Sequence, residues 1–257
     1  MVVFFDIDGT LVDDRTHILP QSAVEAVAKL RENGHIPVVN TGRPYAHIDS
    51  RVRDMAFAGW ICGCGMEIRY EDQWIYRTAP DADLCRLTRD TVRDCGMQVL
   101  YEAADRAILT DGEYSVHPGG LRELQRLEAD GTEIRPLGEE PEFLKFITFD
   151  WPGCRHEEFK ERLAPWYTCI ERGRGLLEVM PKACSKADGM ARLLARVGRA
   201  DTLAIGDSTN DLPMFRHAAH TGCTGGGMEE AKAAAEYVTG TVLEDGIRQA
   251  LQHFGLI

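Results

Sequence analysis

Two aspartates one residue apart follow the first apolar segment of the chain. Val2 to Phe5 is a run of four apolar residues, which predicts a strand buried on both faces of a sheet. Asp6 and Asp8 come directly after it, and Gly9 allows a turn that brings the second carboxylate beside the first. Two carboxylates that close repel each other unless a proton or a cation joins them. The start of the chain therefore predicts two carboxylates at the edge of a sheet that share a proton or a cation.

A second pair of acids follows another apolar segment near the other end of the sequence. Thr202 to Gly206 predicts a strand, with Asp207 at its tip and Asp211 in the first turn of the helix that follows. The two acid clusters converge if these strands are neighbours, because reactive side chains lie at the carboxyl ends of parallel strands. Hard oxygen ligands of this kind suit Mg²⁺, which binds one or two carboxylates together with substrate phosphate. The sequence thus predicts a magnesium site.

Two further polar segments lie between the acid clusters, and the four together carry a resemblance. Asn40-Thr41-Gly42-Arg43-Pro44 follows the apolar run Ile36 to Val39, and Ser185-Lys186 opens a helix. The segments DIDGTLV, NTGRP, the lysine and GDSTNDLPMF resemble, in this order, the motifs of the haloacid dehalogenase superfamily of phosphohydrolases. The stretch AAAEYVTGTVLEDGIRQAL is similar to the end of its Cof-type subfamily. Four motifs in register are far more specific than any one of them.

The predicted fold is α/β, with a Rossmann-like, doubly wound parallel sheet as the core and an inserted α+β cap. Strands and helices alternate over the first 80 residues, which is typical of such a sheet. From about residue 81 the acid-tipped strands stop, and the pattern favours an insert with an antiparallel sheet. We predict a core of residues 1–80 and 181–257 and a cap of residues 81–180. Prolines mark both predicted hinges, at Thr78-Ala79-Pro80 and at Met180-Pro181.

The insert has its own predicted elements. Helices are predicted at 84–95, 118–129 and 156–163, and strands at 98–101, 106–110, 143–151, 167–171 and 176–179.

The resemblance implies a role for each catalytic residue. Asp6 would be the nucleophile that forms an aspartyl-phosphate, and Asp8 would protonate the departing alcohol and then activate water. Thr41 supplies a hydroxyl, and Gly42 a backbone N–H that can approach the phosphate closely. Lys186 would balance the charge of the nucleophile and of the phosphate.

The resemblance also implies a ligand set for Mg²⁺. Asp6, the backbone carbonyl of Asp8 and Asp207 would contact the metal directly. Asp211 would act through a neighbour, holding Lys186 or a metal-bound water.

Other positions leave alternatives open. Asn210 would orient ligands or substrate, and Arg43 either bridges core, substrate and cap or pairs with a surface acid. Lys145, on an apolar and acidic strand, either faces substrate or reaches to solvent. The loops Cys62 to Met66 and Cys223 to Gly227 depart from the Asn-Gly and Met-Gly-Asn stretches often found in the family, so substrate preference is expected to differ from the common sugar-phosphate pattern.

Composition excludes several classes of protein. The chain has 257 residues, a formal net charge of −12 and eight cysteines scattered without a Cys-x-x-Cys pair. Such an acidic chain is not expected to bind nucleic acid, whereas local capture of a small anion is compatible with it. Reduced cysteines used for packing, with neither a signal peptide nor a bilayer-spanning run, predict a cytoplasmic protein that does not bind membranes.

The sequence therefore predicts a Mg²⁺-dependent phosphatase acting on a small phosphorylated metabolite such as a sugar phosphate. One alternative is a phosphomutase or phosphotransferase of the phosphomannomutase type, which passes the phosphoryl group to a second hydroxyl. Another is a non-catalytic sugar-phosphate-binding protein on the same scaffold. A dehalogenase is the least favoured, because that chemistry has no need of an acid at Asp8.

Overall fold

A computed structural model describes residues 1–129, 131–171 and 175–257. The strands are β1 (Val2–Phe5), β2 (Ile36–Asn40), β3 (Gly59–Cys62), β4 (Glu67–Tyr70), β5 (Gln73–Arg77), β6 (Gln98–Glu102), β7 (Ala107–Thr110), β8 (Glu133–Pro136), β9 (Lys145–Phe149), β10 (Tyr167–Glu171), β11 (Leu176–Pro181), β12 (Thr202–Gly206), β13 (His220–Cys223) and β14 (Tyr237–Val238). The helices are α1 (Gln21–Glu32), α2 (Ser50–Arg53), α3 (Ala82–Cys95), α4 (Pro118–Ala129), α5 (His156–Leu163), α6 (Lys186–Val197), α7 (Leu212–His217), α8 (Glu229–Ala234) and α9 (Gly246–His253).

The larger sheet places both acid-tipped strands side by side. Its order is β14-β13-β12-β1-β2-β3-β4-β5, and β1 pairs in parallel with β12 on one side and with β2 on the other. Among the described strands of this sheet, only β4 and β5 form antiparallel pairs, β4 with β3 and β5 with β4. The predicted α/β class is confirmed, and the carboxyl ends of β1, β2 and β12 meet at one edge.

Side-chain alternation along the strands explains how this sheet is buried. Val2, Phe4 and Val38 share an apolar cluster with Met190 of α6 and Met214 of α7. The residues between them point to the opposite face, and all four positions of β1 are buried. Two covered faces are what a nearly continuous apolar run predicts.

The smaller sheet corrects one expectation. Its order is β10-β11-β9-β6-β7-β8, and β8 runs parallel to β7, so the sheet is mixed rather than antiparallel. β8 was not predicted, because Glu133–Pro136 is a short, charged segment that ends in proline and has no buried residue. Such a segment is tolerated at the edge of a sheet, where one side needs no partner.

Contacts divide the described residues into two compact units. One consists of Met1–Arg43, Ile48–Arg77 and Ser185–Ile257, and the other of Pro44–His47 and Thr78–Cys184. The first unit holds the larger sheet, which we call the core, and the second holds the smaller sheet. The assignment of residues 81–180 as a functional cap stays a prediction. No helix within the described residues combines the length and the apolarity needed to cross a bilayer.

Candidate active site

The ends of β1 and β12 bring three carboxylates together. The Asp6 N–H donates to the carbonyl of Ile205 at 3.0 Å, which continues the parallel ladder beyond β1. Asp6 and Asp207 are thereby neighbours at the tips of adjacent strands. One carboxylate oxygen each from Asp6, Asp207 and Asp211 lies within 4.8 Å of the others. The structure thus brings together three of the acids from the two predicted clusters, and the Asp8 carboxylate is not part of this group.

Lys186 lies between two of these acids. Its Nζ is 2.7 Å from Asp6 Oδ1 and donates to Asp211 Oδ1 at 2.6 Å, and the side chain is buried. Lys186 is the first residue of α6, which Ser185 caps by accepting from the N–H of Asp188 at 3.1 Å. Both ends of the lysine are therefore fixed, the backbone by the helix start and the ammonium by two carboxylates.

Asp211 uses both of its oxygens within the protein. Oδ1 accepts from Lys186, and Oδ2 accepts from the backbone N–H groups of Asp207 and Ser208 at 2.9 and 3.0 Å. The residue closes a 3₁₀ turn, Thr209–Asp211, that follows β12 and leads directly into α7. Asp211 thus holds the lysine and the loop that carries Asp207.

Burial and crowding shape the ionisation of the site. Burial raises the pKa of Asp6 to about 7; Lys186 opposes this shift, and Asp211 and Asp8 add to it. Burial, followed by the carboxylates of Asp6 and Asp211, raises the pKa of Asp207 to about 9. Burial lowers the pKa of Lys186, but Asp211 and Asp6 outweigh it, so the shift is upward and the ammonium stays charged. When all three carboxylates are ionised, one ammonium does not balance their charge, and a group of hard oxygen donors with excess negative charge fits a divalent cation such as Mg²⁺.

Arg43 makes a two-pronged ion pair with Asp8. Its Nε donates to Oδ2 at 2.7 Å and its terminal nitrogen to Oδ1 at 2.5 Å. The Asp8 side chain is 42% exposed, whereas Asp6 is buried, so the two aspartates differ in environment as well as in partners. Of the two alternatives for Arg43, the pairing with an acid is present, and the acid is Asp8 of the site.

The remaining sequence-predicted residues surround the same strand ends. Thr41 is buried, and its Oγ1 accepts from the N–H of Arg43 at 3.2 Å, which leaves the hydroxyl hydrogen available to another acceptor. The Gly42 N–H donates to no acceptor within the described residues. Asn210 accepts from the Ser208 hydroxyl at 2.8 Å and so belongs to the Asp207 loop.

The atypical glycine-rich loop, Cys223 to Gly227, packs against the backbone of Asp207 and Gly9. A Cβ at Gly227 would lie 2.6 Å from the carbonyl oxygen of Asp207, and the Met228 N–H donates to that oxygen at 2.7 Å. The Thr224 hydroxyl donates to the carbonyl of Gly9 at 2.9 Å. Gly9 itself has φ +73°, and a Cβ there would lie 2.4 Å from Asp207 Oδ2. Thr224 was not predicted as a site residue, because no feature of the surrounding sequence indicates a contact with the loop after β1.

The other atypical loop also packs onto a predicted site residue. The Cys64 N–H donates to the carbonyl of Thr41 at 3.0 Å, with Cys64 in the left-handed region at φ +53°. Cys62 and Cys64 are buried, neither forms a disulfide bond, and neither belongs to a metal-holding group in the described parts of the chain. Their burial agrees with the predicted packing role.

Lys145 in the second unit does not reach to solvent. Its side chain is 5% exposed, and Nζ lies 2.5 Å from Glu178 and 3.6 Å from Glu102. Two lysines are therefore buried among the described residues, Lys145 and Lys186, and each lies beside two carboxylates.

Comparisons with known proteins agree with this geometry. A profile of the haloacid dehalogenase-like hydrolase family matches residues 3–251. The 5-amino-6-(5-phospho-D-ribitylamino)uracil phosphatase YcsE of Bacillus subtilis is 32% identical over 260 residues, covering 99% of this chain and 96% of its own length. YitU of Bacillus subtilis, which carries the same enzyme description, is 25% identical over 272 residues, covering 98% of this chain and 97% of its own length. The solved structure of the subclass IIB sugar phosphatase BT4131 has a TM-score of 0.82 and 28% identity, with 100% of this chain and 99% of that chain covered.

The chain belongs to the haloacid dehalogenase-like hydrolases. Within that class it is a phosphatase of the Cof-type, subclass IIB group, as the resemblance in its motifs predicts.

Proposed function

We propose that this phosphatase hydrolyses a small phosphorylated metabolite with a polyhydroxylated leaving group, through an aspartyl-phosphate on Asp6 and with Mg²⁺ as cofactor. The names of YcsE, YitU and BT4131 refer to a ribityl phosphate or a sugar phosphate, so all three relatives act on a phosphate ester of a polyhydroxylated compound. The acidity of the chain as a whole favours a small ligand over a nucleic acid.

One observation carries the proposal: a buried ammonium that contacts both Asp6 and Asp211, beside a third carboxylate on the next strand. Acids in excess of cations do not stabilise a fold, because each buried charge without a partner lowers the free energy of unfolding. A purely stabilising role therefore does not explain this cluster. A site that receives a dianionic phosphate together with a divalent cation makes use of both signs of charge.

The residues divide the chemistry between them. Asp6, which Lys186 holds at 2.7 Å, attacks phosphorus in line, while Thr41 and the Gly42 N–H bind the non-bridging oxygens. Asp8, more exposed than Asp6, protonates the leaving alcohol and later takes the proton of the attacking water. Asp6, Asp207 and the Asp8 carbonyl would hold Mg²⁺, which would supply positive charge to neutralise the phosphoryl oxygens.

The test is phosphate release from a panel of phosphorylated metabolites with Mg²⁺ and with a chelator. We expect turnover only with the metal, without any activating sugar bisphosphate, since a phosphatase passes the phosphoryl group to water. Full turnover in chelator would contradict the metal assignment. A requirement for a sugar bisphosphate would favour the phosphomutase alternative, and failure to turn over any ester would favour a binding protein.

Thermal melting tests Mg²⁺ binding independently of activity. The raised pKa values of Asp6 and Asp207 mean that the folded, metal-free protein keeps protons that the unfolded chain, titrating near pH 4, has lost. In chelator the melting temperature should therefore fall as the pH rises from about 4 to about 9. Mg²⁺ should raise it, and by more at high pH, because the metal competes with those protons. Asp207→Asn should remove most of this increase, whereas the control Asp201→Asn, at an exposed position before β12, should keep it.

The second unit is proposed to choose the leaving group, because residues 81–180 carry none of the core motifs. Replacing them by a short Gly/Ser linker should leave slow hydrolysis of a small generic phosphate ester and remove preference among metabolites. Circular dichroism checks folding. An unchanged order of preference in the folded, shortened protein would refute this assignment.

A further inference from the structure

Asn40 is a polar residue at a position that belongs to the apolar core. Side chains two residues apart in β2 point to the same face, and Val38 on that face packs with Met190 and Met214. The pattern Ile36, Val38 predicts a third apolar residue here, yet the chain has an amide that is 0% exposed.

The amide is satisfied on one side only. Its Nδ2 donates to the backbone carbonyl of Lys186 at 3.1 Å and faces Met214 Sδ at 3.6 Å, while Oδ1 has no hydrogen-bond partner among the described residues. The orientation follows from the two acceptors, because a flipped amide would place its oxygen against a carbonyl oxygen and a sulfur. The unpaired atom is therefore the oxygen.

A buried carbonyl without a donor lowers stability, and an apolar side chain of the same branching avoids that cost. Each such group in a folded protein calls for an explanation beyond packing. The hydrogen bond that Asn40 does make supplies one, since it reaches a residue 146 positions away in sequence that lies in the site.

We infer that Asn40 is a positioning residue that sets the distance between the two groups on either side of the phosphate, Thr41 and Lys186. Thr41 is its neighbour in sequence at the end of β2, and Lys186 is the first residue of α6. The bond from Asn40 Nδ2 to the Lys186 carbonyl ties this strand end directly to this helix start. The inference rests on the proposed function, which places both groups on the phosphate.

The Asn40 amide hydrogen-bonds to neither Asp207 nor Asp6, so its effect should pass through the relative position of Thr41 and Lys186. A shift of about 1 Å in a catalytic group can cost about 10²-fold in rate. Asn40→Leu should lower kcat between about tenfold and about 10²-fold and leave the Mg²⁺ concentration for half-maximal activity unchanged.

The decisive comparison is between kcat and melting temperature. Asn40→Leu removes the unpaired oxygen and leaves the Lys186 carbonyl its bond within the helix, so the melting temperature should stay the same or rise while kcat falls. Loss of activity without loss of stability is not expected of a residue with a purely structural role. Thr202→Val is the matched control, because the buried Thr202 hydroxyl accepts from the Ala219 N–H at 2.9 Å at the opposite end of β12. It should lower the melting temperature and leave kcat unchanged.

A folded Asn40→Leu protein with wild-type kcat would overturn the inference. If leucine prevents folding, Asn40→Ala, which fits any space that asparagine fills, gives the same reading: wild-type kcat overturns the inference, and reduced kcat at unchanged Mg²⁺ requirement supports it. Wild-type protein that turns over no phosphate ester would overturn the proposed function and this inference together, an outcome distinct from active wild-type protein with an equally active variant.

Discussion

Asp6→Asn should abolish turnover and the formation of a phosphoenzyme, while the protein stays folded. An amide has no carboxylate to attack phosphorus, but it fills nearly the same space and can still accept from Lys186 Nζ, now 2.7 Å from Oδ1. Because Asp6 is crowded by Asp207 and Asp211 and its own pKa is raised, removing its charge should not lower the melting temperature. Intact-mass measurement after mixing with an acyl phosphate should show no added phosphate.

Asp8→Asn is the matched control, and its expected result differs in kind. The variant keeps the nucleophile but can neither donate nor accept the proton, a role worth about 10²–10⁴-fold. The deficit in the first step should shrink for acyl or aryl phosphates, whose leaving groups need no proton. Water attack still lacks its base, so the aspartyl-phosphate should accumulate and be visible by mass. A phosphate adduct on Asp6→Asn but never on Asp8→Asn would mean that the two roles are reversed.

The different surroundings of these aspartates are only half predictable from sequence. The sequence predicts that Asp6 and Asp8 follow one buried strand and that Asp207 follows the neighbouring one. These predictions come from apolar runs that end in acids, which is a local signal. The two-pronged pair between Asp8 and Arg43 joins residues 35 positions apart, and the sequence offered a surface acid as an equal alternative. Which acid an arginine meets depends on how β1 and β2 align, and no local pattern records that alignment.

The contacts that support the site are also only partly predictable from the sequence. A lysine at a helix start, where the helix dipole disfavours a cation, indicates a nearby anion, and the structure places Asp6 and Asp211 there. Thr224 and Asn40 carry no such signal, because an isolated threonine or asparagine is most often a turn or surface residue. Their hydrogen bonds to the backbone of Gly9 and Lys186 exist only once the strands have assembled. The edge strand β8 was not predicted for a different reason. A strand at the edge of a sheet tolerates charged residues and proline, so its sequence shows no apolar pattern.

The two buried lysines allow the catalytic charge to be separated from a structural one. Lys186→Met should leave Asp6, Asp207 and Asp211 without a cation, and Lys145→Met should leave Glu178 and Glu102 in the same condition. Removing one partner of a buried ion pair costs about 3–5 kcal/mol, so both variants should melt at lower temperature.

Only Lys186→Met should also lose activity on a small generic phosphate ester, by roughly 10²–10³-fold, since it removes a charge aimed at the reacting phosphate. The loss should appear in kcat at temperatures where both variants are fully folded. Guanidinium or primary amines added to the solution should restore little, because the Lys186 side chain is 1% exposed and small cations have no ready path to its place. Equal kcat losses in the two variants would show that Lys186 acts through stability alone. That result would contradict the proposed mechanism, which depends on the Lys186 charge at the reacting phosphate.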